Sequence, residues 1–253
     1  MELSNLTNIL VKTARYNMFF PKVANLRRKA FEIEDQLSPY FNAVTLVPVP
    51  DEAPEEIPRI STSSHHGHSS LNISLTNAQI ATNYDEKFEN DWPSCLSYLK
   101  ERVNQISNVL SKYINGQYLF SGLTIELIVN GHDNPIELIK NNFLNYKGSI
   151  EPYDLQYKVT FLIDQIYYVN ITFSNVRTYE GIVPLYTGIH NFVGLKEISN
   201  ALAVSIDIND RHGFNYEQDY FSSTEKFEHI FEIAYKILDS RLIKMIEEGV
   251  IEL

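Results

Sequence analysis

Three histidines fall within four positions of the stretch "SSHHGHSS": His65, His66 and His68. Imidazole nitrogens are ready ligands for zinc or nickel. On a regular strand His66 and His68, two apart, would share a face. A catalytic metal site also needs a further ligand and partners that orient the imidazoles. The neighbouring residues are serine and glycine, and none offers a carboxylate. The local reading is therefore a solvated hairpin tip with adventitious metal affinity, and no resident cofactor is expected.

A second candidate is "SIDINDRHGFNYEQDY", where Asp207, Asn209, Asp210 and His212 follow a strand-like run. Sites often sit on such loops. The run opens like a calcium loop, but Gly213 is one place late and Gln218 stands where a bidentate Glu belongs. A polar strand end leading into a loop is the simpler reading. Arg27, Arg28 and Lys29 in "NLRRKAFE" could dock an anionic partner, but the usual reading is a solvated helix face, since the apolar stripe is intact around them. His132 and Asp133 are adjacent within a turn-like "NGHDNP", a poor geometry for a dyad. Cys95 is the single cysteine, which excludes an intrachain disulfide. It falls towards the buried side of a helix start and reads as packed rather than nucleophilic. Nucleophile elbows, P-loops, H-E-x-x-H and dinucleotide fingerprints are absent from the sequence.

The elements that position these residues follow from hydrophobic period. "NILVKTARYNMFFP" alternates and predicts a strand, with Leu10, Ala14, Tyr16, Met18 and Phe20 on one face and Ile9, Val11, Thr13 and Arg15 on the other. Val23, Leu26, Ala30, Ile33 and Leu37 form the stripe of a helix that Pro39 stops. "NAVTLVPVP" reads as a strand entering the acidic, proline-rich loop "DEAPEEIPR". "RISTSS" and "LNISLTN" make a hairpin over about 59–77 around Gly67, and "AQIATNY" extends it. Asn90 or Asp91 caps a long helix whose stripe is Leu96, Leu99, Val103, Ile106, Leu110 and Tyr113. Strands follow at "YLFSGLTIELIVN", on both sides of Asp164 and Gln165, and at "NALAVSIDIN". A long helix from about Ser223 closes the chain, with Ser222 and Glu225 fitting a capping box. Runs of strands separated by helices imply an α+β fold, a mostly antiparallel sheet with helices packed on one face. The chain divides into an N-terminal half, 1–150, and a C-terminal half, 151–253. Both end in sheet and helix, the pattern a diverged duplication leaves.

The 253 residues are 44% hydrophobic, enough for a sizeable core. Lys and Arg number 21 against 32 Asp and Glu, a net charge of -11. Such a surface repels phosphate at long range, which disfavours non-specific nucleic-acid and anionic-membrane binding. The start of the chain has no basic leader with an apolar run, and nothing is apolar for long enough to span a bilayer. A cytoplasmic location is expected.

The strand into "MFFP", the "EEIPRISTSS…LNISLTNAQIATNY" hairpin with the tryptophan helix after it, and "SIDIND" followed by "DYFSSTEKFEHIFEIAYKILDSRLIKMI" carry a resemblance. The chain resembles a sporadically distributed family of uncharacterised bacterial proteins of about this length. The resemblance covers most of the chain and implies an accessory gene product of a mobile-element or defence locus, with a protein partner encoded nearby. It supplies no catalytic residues. The leading expectation is thus a non-enzymatic binding protein acting through protein–protein contacts, with room for an oligomer. The alternative is a metal-dependent hydrolase or nuclease built from His65, His66 and His68 or from Asp207, Asp210 and His212.

Overall fold

The computed structural model describes residues 8–50, 52–114, 116–131, 134–181 and 194–253. Among the described residues nine strands form one sheet: β1 (Asn8–Phe19), β2 (Thr45–Leu46), β3 (Ile60–Ser63), β4 (Ser69–Ile73), β5 (Asn77–Asn83), β6 (Phe120–Asn130), β7 (Gln156–Ile163), β8 (Tyr167–Glu180) and β9 (Lys196–Asn209). Their order is β2-β3-β4-β5-β1-β6-β9-β8-β7, and every pairing is antiparallel. The helices are α1 (Ala30–Leu37), α2 (Trp92–Leu110), α3 (Pro135–Ile139), α4 (Arg211–Tyr216), α5 (Thr224–Lys236) and α6 (Leu242–Glu248). The fold is α+β. The sheet is continuous across residue 150, because β6 pairs with β9 along Gly122–Val129. Among the described residues no helix is long and apolar enough to cross a membrane.

The core lies on one side of this sheet. Leu123, Ile125, Leu127 and Val129 of β6, Leu202, Val204, Ile206 and Ile208 of β9, and Val169, Ile171 and Phe173 of β8 are buried there. In the same core Leu96, Leu99, Val103 and Ile106 of α2 pack over β1 and β5, and Phe227, Ile230, Phe231 and Ala234 of α5 over β6 and β9. The opposite face is polar and mostly uncharged. Asn17 accepts from Gln79 at 2.9 Å, and Thr160 donates to Asn170 at 2.8 Å. An antiparallel sheet tolerates such a wet face because alternation sends every second side chain to it.

Local chemistry explains the element ends. Asp91 caps α2, accepting from the Ser94 N–H at 3.2 Å, with Pro93 in the first turn. Asp164 and Gln165 both adopt positive φ, 52° and 56°, in the tight β7–β8 turn. They are the central residues of a turn that the Ile166 N–H closes on the Ile163 carbonyl at 2.9 Å, and with Ile163 facing Tyr167 the connection is three residues long. Gly116, at φ 71°, ends the α2 region.

Several expectations are corrected. In β1 the buried side chains are Ile9, Val11, Ala14, Tyr16 and Met18, so Ile9 and Val11 change sides and Leu10 does not join Ala14. The cause is a β-bulge: Val11 pairs with Leu127 and Thr13 with Glu126, leaving Lys12 as an extra residue. The 84–89 segment holds it. Val11 N–H donates to the Glu89 carbonyl at 2.7 Å, Tyr84 N–H to the Lys12 carbonyl at 3.0 Å, and Lys12 pairs with the Glu89 carboxylate at 2.5 Å. The strand expected in "NAVTLVPVP" shrinks to Thr45–Leu46, both exposed, as suits an edge followed by prolines. The cap of α5 is Ser223, which accepts from the Lys226 N–H, and Ser222 is engaged elsewhere. The final helix is interrupted by a π-helical turn, Ile237–Arg241, between α5 and α6.

Candidate functional site

The histidine tip is the turn between β3 and β4. Ser64 and Ser69 close it, with the Ser64 N–H donating to the Ser69 carbonyl at 2.8 Å, and Gly67 takes φ 74°. His65 and His66 are exposed and His68 is half-buried. The three imidazoles diverge in their contacts. His65 lies over the end of α1, its Nε2 3.0 Å from the Ser38 carbonyl and its Nδ1 3.2 Å from Asn42 Oδ1. His68 turns the other way, edge-on to Phe88 at 6.2 Å. Among the described residues no group of three or more His, Cys, Asp or Glu is placed to hold a metal ion.

What His66 and His68 do share is the wall of a pocket of about 390 Å³. Four pieces of chain build it: the hairpin tip, Thr82 of β5, Tyr84 and Phe88 of the following segment, and Ser94, Cys95 and Tyr98 of the first turns of α2. The wall is mainly aromatic, and the hydroxyl and thiol groups of Thr82, Tyr84, Cys95 and Tyr98 are engaged within the protein. Tyr84 Oη donates to the Cys95 carbonyl at 2.7 Å. Cys95 Sγ donates to the Phe88 carbonyl at 3.2 Å. Ser69 Oγ bonds Thr82 Oγ1 at 2.9 Å and donates to Tyr98 Oη at 3.1 Å, while Arg102 lies over the Tyr98 ring at 4.8 Å. Such a surface offers a guest contact area and few free polar groups, the usual make-up of a binding pocket. Burial raises the Tyr84 phenol well above its ordinary value. Burial and then the Asp91 charge push the Cys95 thiol up to about 12. A thiol held protonated is a poor nucleophile. Cys95 in the folded protein should therefore resist a small alkylating reagent at neutral pH and react at the free-thiol rate only in denaturant. Equal rates in the two states would show the thiol to be accessible and ionised.

The sequence alone did not assemble this pocket. Its one local signal was the aromatic spacing Tyr84, Phe88, Tyr98, and nothing in that spacing shows that the β3–β4 tip lies beside it.

The second candidate set is divided. Asp207 lies on the polar face of the sheet, where its Oδ2 accepts from Asn170 at 2.9 Å and Asn209 at 3.1 Å. Desolvation raises its pKa despite those donors. Asp210, beyond the strand end, is fully buried. Its Oδ1 accepts from the Ser121 N–H at 2.6 Å, and its Oδ2 from Tyr220 Oη at 2.9 Å and from Ser222 Oγ. Tyr16 Oη continues the chain to Ser121 Oγ at 3.0 Å. All three donors to Asp210 belong to the protein itself, and the carboxylate ties β6 to the segment between α4 and α5. His212 lies elsewhere again, its Nδ1 2.6 Å from the Gln165 carbonyl. The structure does not bring Asp207, Asp210 and His212 together.

Arg27 reaches the carbonyls of Val47, at 3.0 Å, and Val49. Lys29 sits over the Tyr113 ring at 4.8 Å, and Arg28 is exposed. His132 and Asp133 lie outside the described residues. A larger depression, about 470 Å³, lies beside α5. There the His229 ring contacts Glu232 at 3.2 Å and Asp164 at 3.6 Å.

No protein-family model matches the chain, and no curated protein matches it significantly.

Replacing His65, His66 and His68 together with alanine is expected to cost less than about 1 kcal/mol. Exposed turn residues contribute little, and the two His65 contacts are solvent-facing hydrogen bonds of modest net worth. Thermal unfolding in metal-free buffer checks this. A large fall in Tm would show that the tip anchors α1.

Proposed function

We propose that this chain is a non-enzymatic binding protein that acts through protein–protein contacts, and that the aromatic pocket beside the histidine tip receives an apolar side chain of the partner. The observation that carries the proposal is that the hydroxyl and thiol groups of Tyr84, Cys95, Thr82 and Tyr98 are all engaged within the protein, which leaves the aromatic wall with few free polar groups. Water in such a pocket finds few partners, so an apolar side chain displaces it at little cost. Binding energy at interfaces concentrates where one partner inserts an anchor into a desolvated pocket. The half-buried His68 and exposed His66 stand at the mouth as a polar rim. The accessory role, beside a partner encoded in the same bacterial mobile-element or defence locus, comes from the resemblance in sequence.

The test is a photo-crosslinking residue placed at Phe88, on the pocket wall, and as a control at Lys244 of α6, in cells of the native host. A discrete protein adduct from position 88 alone is expected. Ser94→Trp, an exposed position at the pocket mouth, should abolish it. No adduct, or the same adduct from both positions, would defeat the proposal.

A further inference from the structure

The two edges of the sheet are finished differently. The β2 edge is two residues long and runs into Pro48 and Pro50, an ending that blocks further pairing. The β7 edge, Gln156–Ile163, is eight residues long. It holds no proline, its register on β8 is unbroken, and Lys158 is its single charge. A long, regular and nearly uncharged edge is a template for another strand.

Alternation shows which backbone groups this edge offers. The Ile166 N–H donates to the Ile163 carbonyl at 2.9 Å, and the Asn175 N–H to the Leu155 carbonyl at 3.4 Å. The odd-numbered residues therefore turn their backbone groups towards β8, and Gln156, Lys158, Thr160 and Leu162 turn theirs outward. Those four residues are exposed. Among the described residues no turn or loop backbone group bonds to them.

The core layer is also unfinished here. Val169, Ile171 and Phe173 of β8 are fully buried, while Tyr157, Val159, Phe161 and Ile163 of β7 are only partly buried against the core. At the Ile163 end opens the depression of about 470 Å³, lined in part by Ile163, Ile233, Ile237 and Leu253. Towards the other end Phe143 stacks on Tyr157 at 5.1 Å.

We propose that β7 pairs antiparallel with β7 of a second copy of this chain, about a two-fold axis that passes Thr160 perpendicular to the sheet. The strand is complementary to itself in this register. Thr160 meets its own counterpart and Lys158 meets Leu162, so the single charge never faces a like charge. On the core side Val159 meets Phe161 and Tyr157 meets Ile163. The half-open apolar rows of the two copies then close on each other. Tyr157 of each copy, with Phe143 stacked on it, comes beside the depression of the other. The interface is isologous and closes with two copies, because pairing consumes the β7 edge of each. The β7 edge shares no residue with the aromatic pocket.

Sedimentation velocity of the full chain, from micromolar to millimolar concentration, tests this. Reversible growth from 29.2 kDa to about twice that mass is expected. Thr160→Pro removes the outward N–H at the axis and leaves the bonds to β8 intact. It should weaken association at least about tenfold, since the central pair loses both its hydrogen bonds. Thr160→Lys places like charges opposite each other. It should weaken association at low salt, with partial recovery at high salt. Both variants should keep the far-UV circular dichroism of the unsubstituted protein, and if Thr160→Pro alone loses it, Thr160→Lys decides. Association through β7 also makes the denaturation midpoint rise with protein concentration, and in Thr160→Pro that rise should vanish. A monomer at every concentration would overturn the proposal. So would a dimer that either folded variant leaves at full strength, or an oligomer larger than a dimer.

Discussion

Replacing Phe231 with alanine is expected to destabilise the protein by about 3–5 kcal/mol, the usual cost of deleting a buried aromatic side chain. Phe231 is 1% exposed. Its ring stacks on Tyr16 at 5.5 Å with 5° between the planes. Phe227, one turn earlier on α5, meets the same Tyr16 ring edge-on at 5.5 Å and Tyr118 at 5.2 Å. The cluster joins α5 to β1 at the centre of the sheet. Chemical denaturation at several protein concentrations measures the effect. A midpoint equal to that of the unsubstituted protein would remove Phe231 from the core. A midpoint that still rises with protein concentration in Thr160→Pro would place part of this stripe in an intersubunit contact.

Replacing Asp210 with alanine should cost about 2–4 kcal/mol, because three donors lose their acceptor together. The Ser222 hydroxyl can turn to Ser121 Oγ, already 3.3 Å away, but the Ser121 N–H is fixed by the backbone and has nowhere to turn. The same carboxylate gives a pH dependence of defined sign. Burial holds its pKa above the ordinary aspartate value, and the hydrogen bonds from Ser222, Ser121 and Tyr220 offset this only in part. The folded protein therefore binds the Asp210 proton more tightly than the unfolded chain does. Its contribution to stability is fully present below the unfolded value and shrinks as pH rises through the folded one. The stability gap between the unsubstituted protein and Asp210→Ala should accordingly widen as pH is lowered from neutrality towards the ordinary aspartate range. Urea midpoints at two pH values measure the gap, and a gap that narrows on acidification would refute the assignment. Tyr16 touches both Phe231 and the Ser121 end of this network, so the two substitutions should not be additive.

Much of the fold was legible because it rests on local periodicity. The α2 stripe, the α5 stripe, the β3–β4 hairpin around Gly67 and the Asp164–Gln165 turn each follow from residues within one local stretch of the chain. The bulge in β1 was legible in principle. Ile9 and Val11 are odd while Ala14, Tyr16 and Met18 are even, and a change of phase within one strand is the mark of an inserted residue. Reading the strand as one unbroken alternation put Ile9 and Val11 on the wrong face. The candidate site was less legible. Three neighbouring histidines drew attention to metal chemistry, yet His65 meets Ser38 and Asn42 while His68 meets Phe88, and only the tertiary structure shows these separate neighbours.

The sequence by itself determined which stretches are helix and strand, where most of them end and which side chains are apolar enough to be buried. These properties depend on steric and hydrophobic preferences that act within one element. Only the tertiary structure decided that Asp210 is a buried anchor while Asp207, three residues earlier, faces the wet side of the sheet. It alone decided that Arg59 is enclosed by carbonyls and that the tip histidines stand at the mouth of an aromatic pocket. Two of these depend on partners tens of residues away, Ser121 for Asp210 and α2 for the hairpin, while the carbonyls around Arg59 are near in sequence and converge on it only in the folded loop. The free energy that selects such contacts arises from burial and hydrogen bonding between elements, which no local pattern encodes.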